Sequence, residues 1–228
     1  PQGNFYLGSG GTEWNAFYAY PNTTSSYLIT SEDPIVIGTQ SGNLYYPNNN
    51  IYAGDQQGPV PAAFPKGFQA FYAMKYEISQ RGYVDFLNTL TRTQQASHVA
   101  TNISSPSITN EFVMTNTPDP QERNGFVCRN TIPESPSPVD FHNNLNNNSG
   151  LSETADGLCL ACNYLSFGDL AAYLDWAGLR LMTEFELEKC GRGNQASVPN
   201  EFAWGNNTLI APTALTNTGQ SGEAPMDT

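Results

Sequence analysis

The sequence predicts a mixed fold in which short strands and a few short helices are set in much loop. Three observations carry this expectation. Residues 1–66 are rich in Gly, Pro, Asn and Tyr and show no helical period. Helical spacing behind a capping residue occurs within 67–95 and again within 159–205. Between them, residues 96–158 form a long polar stretch dense in Pro and Asn, read as loops laid over the core.

In chain order, Asn4-Phe5-Tyr6-Leu7 and Ile35-Val36-Ile37 read as strands, with a polar turn at Tyr45 to Asn50. The run GFQAFYAMKYEI places Phe68, Ala70, Tyr72, Met74 and Tyr76 on one side, which is the period of a strand. Ser79 stands at a helix N-cap, and Tyr83, Phe86, Leu87 and Leu90 follow as an apolar stripe. Gly82 inside that turn lowers helix propensity without a reason visible in the sequence. Short strands are expected in NEFVM and RNGFVCR, and a flexible or disordered tip at Asn143 to Gly150.

The strongest pattern lies further on. Ser166 with Asp169 forms a capping box, and Leu170, Tyr173, Leu174 and Ala177 recur along one helical face up to a stop at Gly178. Thr183 with Glu186 forms a second box. Phe185, Leu187 and Cys190 make the apolar face of that helix, and Gly191 and Gly193 end it. So few residues separate the two helices that a sharply turned pair is expected.

Composition narrows the function classes. Nine Lys plus Arg stand against 21 Asp plus Glu, a net charge of −12, so no basic face is available for nucleic acid or anionic lipid. Charged residues make up only 13%, leaving Asn, Thr, Ser, Gly and Tyr to cover the surface, as is commoner outside cells. No apolar run approaches the ~18 residues that span a bilayer, so direct membrane insertion is not expected. The start at Pro1 without Met fits a secreted chain whose targeting segment is not included.

Three blocks then point to a family. The run from Ala161 to Asn206 contains Ser166-Phe167, Trp176-Ala177-Gly178-Leu179-Arg180-Leu181, Thr183-Glu184, Glu186, Glu188, Arg192-Gly193 and Trp204-Gly205-Asn206. They resemble the V-S-W, W-x-G-x-R-L, P-T-E-A-E-W-E and W-G-N signature of formylglycine-generating enzyme (sulfatase-modifying factor) domains. YEISQRGYVDFLN resembles that family's Y-E-V-T-N-x-Q-Y-x-x-F-L, and Gly3 to Ser9 resembles its opening G-x-F-x-M-G-S. The resemblance implies an irregular α+β domain related to C-type lectins. Met182 replaces the usual proline and Phe167 the usual tryptophan, both keeping apolar bulk. Calcium-binding segments, a G-N-V-W-E-like block and the copper-binding cysteine pair follow W-G-N in the family. The resemblance therefore implies a single domain over 1–228, incomplete at its C-terminus, with calcium expected downstream and copper only in an enzymatic member.

Several residues bear chemistry. Cys159 and Cys162 form a C-x-x-C motif, open to half a zinc site, a redox pair, or a structural role. In the structural role Cys162 and Cys190 are buried, or one disulfide involves Cys128 or Cys159. Glu184, Glu186 and Glu188 form a carboxylate cluster in which Glu186 caps the helix and Arg180 or Lys189 pairs the others. Asp169 and Asp175 read as helix-start and surface charges. Trp176 and Trp204 match family core positions, and Trp14 is freer for contact. No residue is expected to be catalytic or cofactor-binding, and no metal ligand set is readable. The function expected is a non-catalytic extracellular module binding protein partners in a bacterial envelope, appendage or secretion-associated assembly. The alternatives are a copper-dependent oxidase converting a sulfatase cysteine to formylglycine, and a lectin-like ligand binder.

Overall fold

The computed structural model describes residues 2–12, 16–46, 58–104, 108, 112–128, 132–202, 206–209 and 212–226. Trp14, Trp204 and Gly205 lie outside them. The described strands pair only in twos, always antiparallel, and no sheet closes. The architecture is thus mixed, with short helices and strands and much loop. The chain divides into two compact units, residues 1–73 with 182–210 and residues 74–181 with 211–228.

The first unit is organised on β1 (Phe5–Leu7) and β3 (Tyr27–Ile29), with Phe5 opposite Ile29 and Leu7 opposite Tyr27. Phe5 and Leu7 share a face and are fully buried, joined by Ile29, Ile35, Leu44 and Phe185. Beside them β2 (Tyr18–Ala19) pairs with β4 (Leu44–Tyr45). Ile35 and Ile37 form isolated bridges, to Val60 and Leu44, instead of the expected strand. At the end of β1, Gly8 has φ +99°, and a Cβ there would lie 1.9 Å from the Phe17 carbonyl oxygen. Only glycine lets those backbones approach.

The second unit holds α1 (Gln80–Leu87), α2 (Arg92–Ser97), β5 (Phe126–Cys128), β6 (Phe141–Asn143) and α3 (Phe167–Trp176), with β7 (Leu215–Thr216) paired to β8 (Ala224–Pro225). Ser79 caps α1 as expected, accepting from the Gly82 amide at 3.1 Å. The structure explains Gly82: a Cβ would meet the Tyr173 hydroxyl at 3.1 Å. Tyr83, Phe86 and Leu87 enter the core with Phe126, Phe141 and Tyr173, the Tyr83 and Phe126 rings stacking at 5.9 Å. β5 lies within the expected RNGFVCR strand and pairs with β6, Cys128 opposite Phe141.

Some expectations need correction. Residues 68–76 form no strand: Tyr72 is fully exposed and Met74 and Tyr76 are exposed. Alternation there meets no pairing backbone, and without ladder hydrogen bonds it has nothing to order it. α2 lies at the edge of the stretch read as loop, although Thr91 and Gln94 form a reciprocal capping box that the sequence displays. Gln95, fully buried, anchors α2 through bonds to Leu87 O, Val139 O and the Val139 amide. The Asn143 to Gly150 segment is a hydrogen-bonded loop starting from β6.

α3 and α4 (Glu184–Arg192) both begin with the expected capping boxes, on Ser166 and Thr183. Gly178, at φ +68°, follows the end of α3. Helix α4 runs through Gly191 and stops at Gly193. Helix α3 packs against α1, and α4 against β1. Trp176 is 47% exposed rather than core, with its ring against Phe86 and Tyr173. On α4 the buried residues are Phe185, Glu186 and Lys189, whereas Leu187 and Cys190 are exposed. The apolar face drawn through Leu187 and Cys190 is therefore wrong. The buried position goes to Lys189, whose ammonium bonds the Gly3 and Gly67 carbonyls.

Candidate functional site

Helix α4 places its charges along one wall of a cleft of about 520 Å³ in the first unit, lined by Glu188, Arg192, Gln195, Val198, Glu201 and Phe202. Arg192 is the hub. Its Nε donates to Glu201 Oε1 at 2.7 Å, and its Nη1 donates to the Gly8 carbonyl at 3.1 Å and stands 3.7 Å from Glu188 Oε2. The Gly8 amide donates to Glu188 at 2.6 Å, so the start of the chain is stitched to α4. Burial pushes the Glu188 carboxyl above its ordinary value; Gly8 and Arg192 oppose this and Glu184 adds to it. A raised carboxyl in a cleft can hold a proton, but here it also clamps β1, which is a structural use.

The other expected carboxylates have defined places. Glu186, 2% exposed, reaches back to the Thr183 amide at 3.0 Å. Lys189 reaches backbone carbonyls. Its ammonium donates to Gly3 O at 2.9 Å and to Gly67 O, over the Phe5 ring. Burial lowers its pKa.

In the second unit, α3 brings together groups that resemble a catalytic set. His98 Nδ1 lies 2.6 Å from Asp169 Oδ1, with the imidazole edge-on to Phe86. The Cys162 thiol, the Tyr83 hydroxyl and Tyr173 stand around this pair. Burial, aided by Asp169, pushes the Cys162 thiol up to about 12. A thiol so protonated is no nucleophile at neutral pH. Burial also raises the Tyr83 hydroxyl, and Asp169 raises it further. For Asp169 itself burial acts upward, yet the bonds from His98 and Ser166 outweigh it and hold the carboxyl below its ordinary value.

The sign of the pH dependence follows. A depressed carboxyl contributes stability that is complete above the unfolded value near 3.8 and is lost as pH falls through the folded value. Asp169→Asn is expected to cost about 2 kcal/mol at neutral pH and to flatten this acid limb. Thermal melts from pH 6 down to pH 2 check it; parallel acid limbs in the two proteins would refute it.

The cysteines form no disulfide. Cys128 is buried on β5, Cys162 is half-buried against the core, and Cys159 and Cys190 are exposed in different units. The Cys162 amide donates to Ile78 O at 2.7 Å, beside the bridge between Ser79 and Ala161. Copper(I) requires paired soft thiolates. Cys162 is half-buried and burial holds its thiol protonated, so it does not fit that donor role, and no chemistry is routed through copper here. Asp175 is exposed on α3.

Comparison with known proteins gives the class. Residues 26–225 match the family described as sulfatase-modifying factor enzyme 1-like domain. The chain belongs to that family. No curated protein and no solved structure matches it.

Proposed function

We propose that this domain is an extracellular interaction module, binding a protein partner within a surface or secretion-associated assembly, and that it contributes shape and contact rather than a reaction. The observation that carries this reading is the set of large apolar side chains exposed at the two ends of α3 and in the segment that follows it. Phe167 is 73% exposed, and Trp176, Leu179 and Leu181 are each at least 40% exposed. Side chains of this size left in water favour association, and aromatic residues dominate such contacts. The charged interior supports the same reading. Lys66, Arg92, Lys189, Glu186 and Asp169 are buried and bonded to backbone, which holds loops in one shape. The acidic, Asn- and Tyr-rich composition supports an exterior location.

The second reading, oxidation of a sulfatase cysteine to formylglycine, is favoured by family membership alone. One experiment separates the two. The chain carrying a photo-crosslinking residue at position 167 is expected to join one defined protein in its native cell. Phe167→Ser with Leu179→Ser should abolish that product with the melting temperature unchanged. Formation of formylglycine in a cysteine peptide supplied with copper and oxygen, or crosslinking no greater than from exposed Asn146, would overturn the proposal.

A further inference from the structure

The loop that follows β6 contains Asn144, Asn146, Asn148, Glu153 and Asp156, and two of its amide oxygens meet at one donor. Asn144 Oδ1 and Asn146 Oδ1 accept from the same Asn148 amide, at 3.2 and 3.0 Å. Asn148 Nδ2 donates to Glu153 Oε2 at 3.0 Å, and the Glu153 carboxylate folds back over Gly150, where a Cβ would lie 2.2 Å from its carboxyl carbon.

Asp156 is the anomaly. It is fully buried and its Oδ1 has no hydrogen-bond partner. Its Oδ2 accepts the Glu153 amide at 2.6 Å, which turns the carboxylate toward the loop. Burial raises this carboxyl, the Glu153 carboxylate adds to that, and the Glu153 and Asn146 amides oppose it. A buried carboxylate oxygen without a partner, near a second carboxylate, is costly unless it takes up a proton or a cation joins them. No Lys or Arg bonds to either carboxylate among the described residues.

We propose that the 144–156 loop is a calcium site, with Asp156 Oδ1 and the Glu153 carboxylate as charged ligands and the Asn144 and Asn146 amide oxygens completing the set. Hard oxygens, two carboxylates and neutral amides from one adaptable loop match calcium, which accepts irregular coordination. Magnesium demands near-octahedral geometry and keeps its waters, so this loop disfavours it. The site lies N-terminal to the block where the sequence resemblance places the family's calcium segments.

Hydrogen–deuterium exchange on the chain with calcium chloride, and separately with magnesium chloride, tests this. Calcium is expected to slow exchange at residues 143–157, and magnesium at equal concentration to leave it unchanged. In calorimetric titration, Glu153→Gln and Asp156→Asn should each weaken the calcium affinity by about tenfold or more, since each removes a charged ligand. Glu153 is exposed, so its variant keeps the fold even if Asp156→Asn perturbs it. Unchanged exchange over 143–157 at millimolar calcium, or a Glu153→Gln protein that titrates like the unsubstituted chain, would overturn the proposal.

Discussion

Replacing Lys66 with methionine is expected to lower the free energy of unfolding by about 3 kcal/mol, and replacing it with alanine by about 5. The Lys66 side chain is fully buried, and its ammonium donates to Glu32 O at 3.0 Å, Pro61 O at 2.8 Å and Phe64 O at 3.0 Å. None of these residues lies in a strand or helix; Pro61 O also accepts the Phe64 amide at 3.0 Å, and the lysine supplies the further donors. Methionine keeps the aliphatic volume and removes all three donors. Alanine removes the stem as well and leaves a cavity. Burial lowers the Lys66 pKa while Glu32 and Asp33 raise it, so the charge is held at a cost that its hydrogen bonds offset. Urea unfolding followed by circular dichroism measures both variants. A methionine variant within 1 kcal/mol of the original would mean, on the scale of an unsatisfied buried group, that water can satisfy those carbonyls.

Arg92 gives the second large effect, in the other unit. Its Nη1 donates to Pro133 O at 3.0 Å and Ser137 O at 2.8 Å, and its Nη2 to Ile103 O. One guanidinium therefore ties α2 to the nearby Ile103 and to the distant 133–137 segment, using a planar fork that lysine lacks. Arg92→Lys is expected to cost about 2 kcal/mol and Arg92→Met about 4, with methionine leaving every carbonyl unpaired. Limited proteolysis should open first within 132–139 in both variants. Equal stability of the lysine variant and the original chain would show that a point charge suffices.

Legibility in the sequence tracked the distance over which each interaction acts. Ser79, Ser166 and Thr183 were identifiable as caps because each bonds to an amide three residues on. Thr91 with Gln94 follows the same rule, and α2 was missed only because the polar stretch after it drew the boundary too early. The strand pairs were harder. Two- or three-residue strands are too short for an alternation to register, and the clearest alternation, over 68–76, belongs to no strand. The family emerged from the resemblance of short blocks in order, Trp176-Ala177-Gly178 and Arg192-Gly193 among them. The family block did not give exposure: Trp176 matches a core position and stands nearly half in solvent.

The candidate sites follow the same division. By itself the sequence determined that α1, α3 and α4 exist, where they start, and that the surface is acidic and poor in charge, because caps, stripes and composition are local or summed quantities. The tertiary structure alone decided which charges are interior. Lys189 meets Gly3 across 186 residues and Arg92 meets Ser137 across 45, and no periodicity encodes a bond to a distant carbonyl. It alone also decided that Asp156 is buried with an oxygen to spare, facing a loop whose string of asparagines reads in sequence only as a polar tip. A chain with so little regular structure must satisfy its backbone with side chains, and that choice is made by three-dimensional proximity.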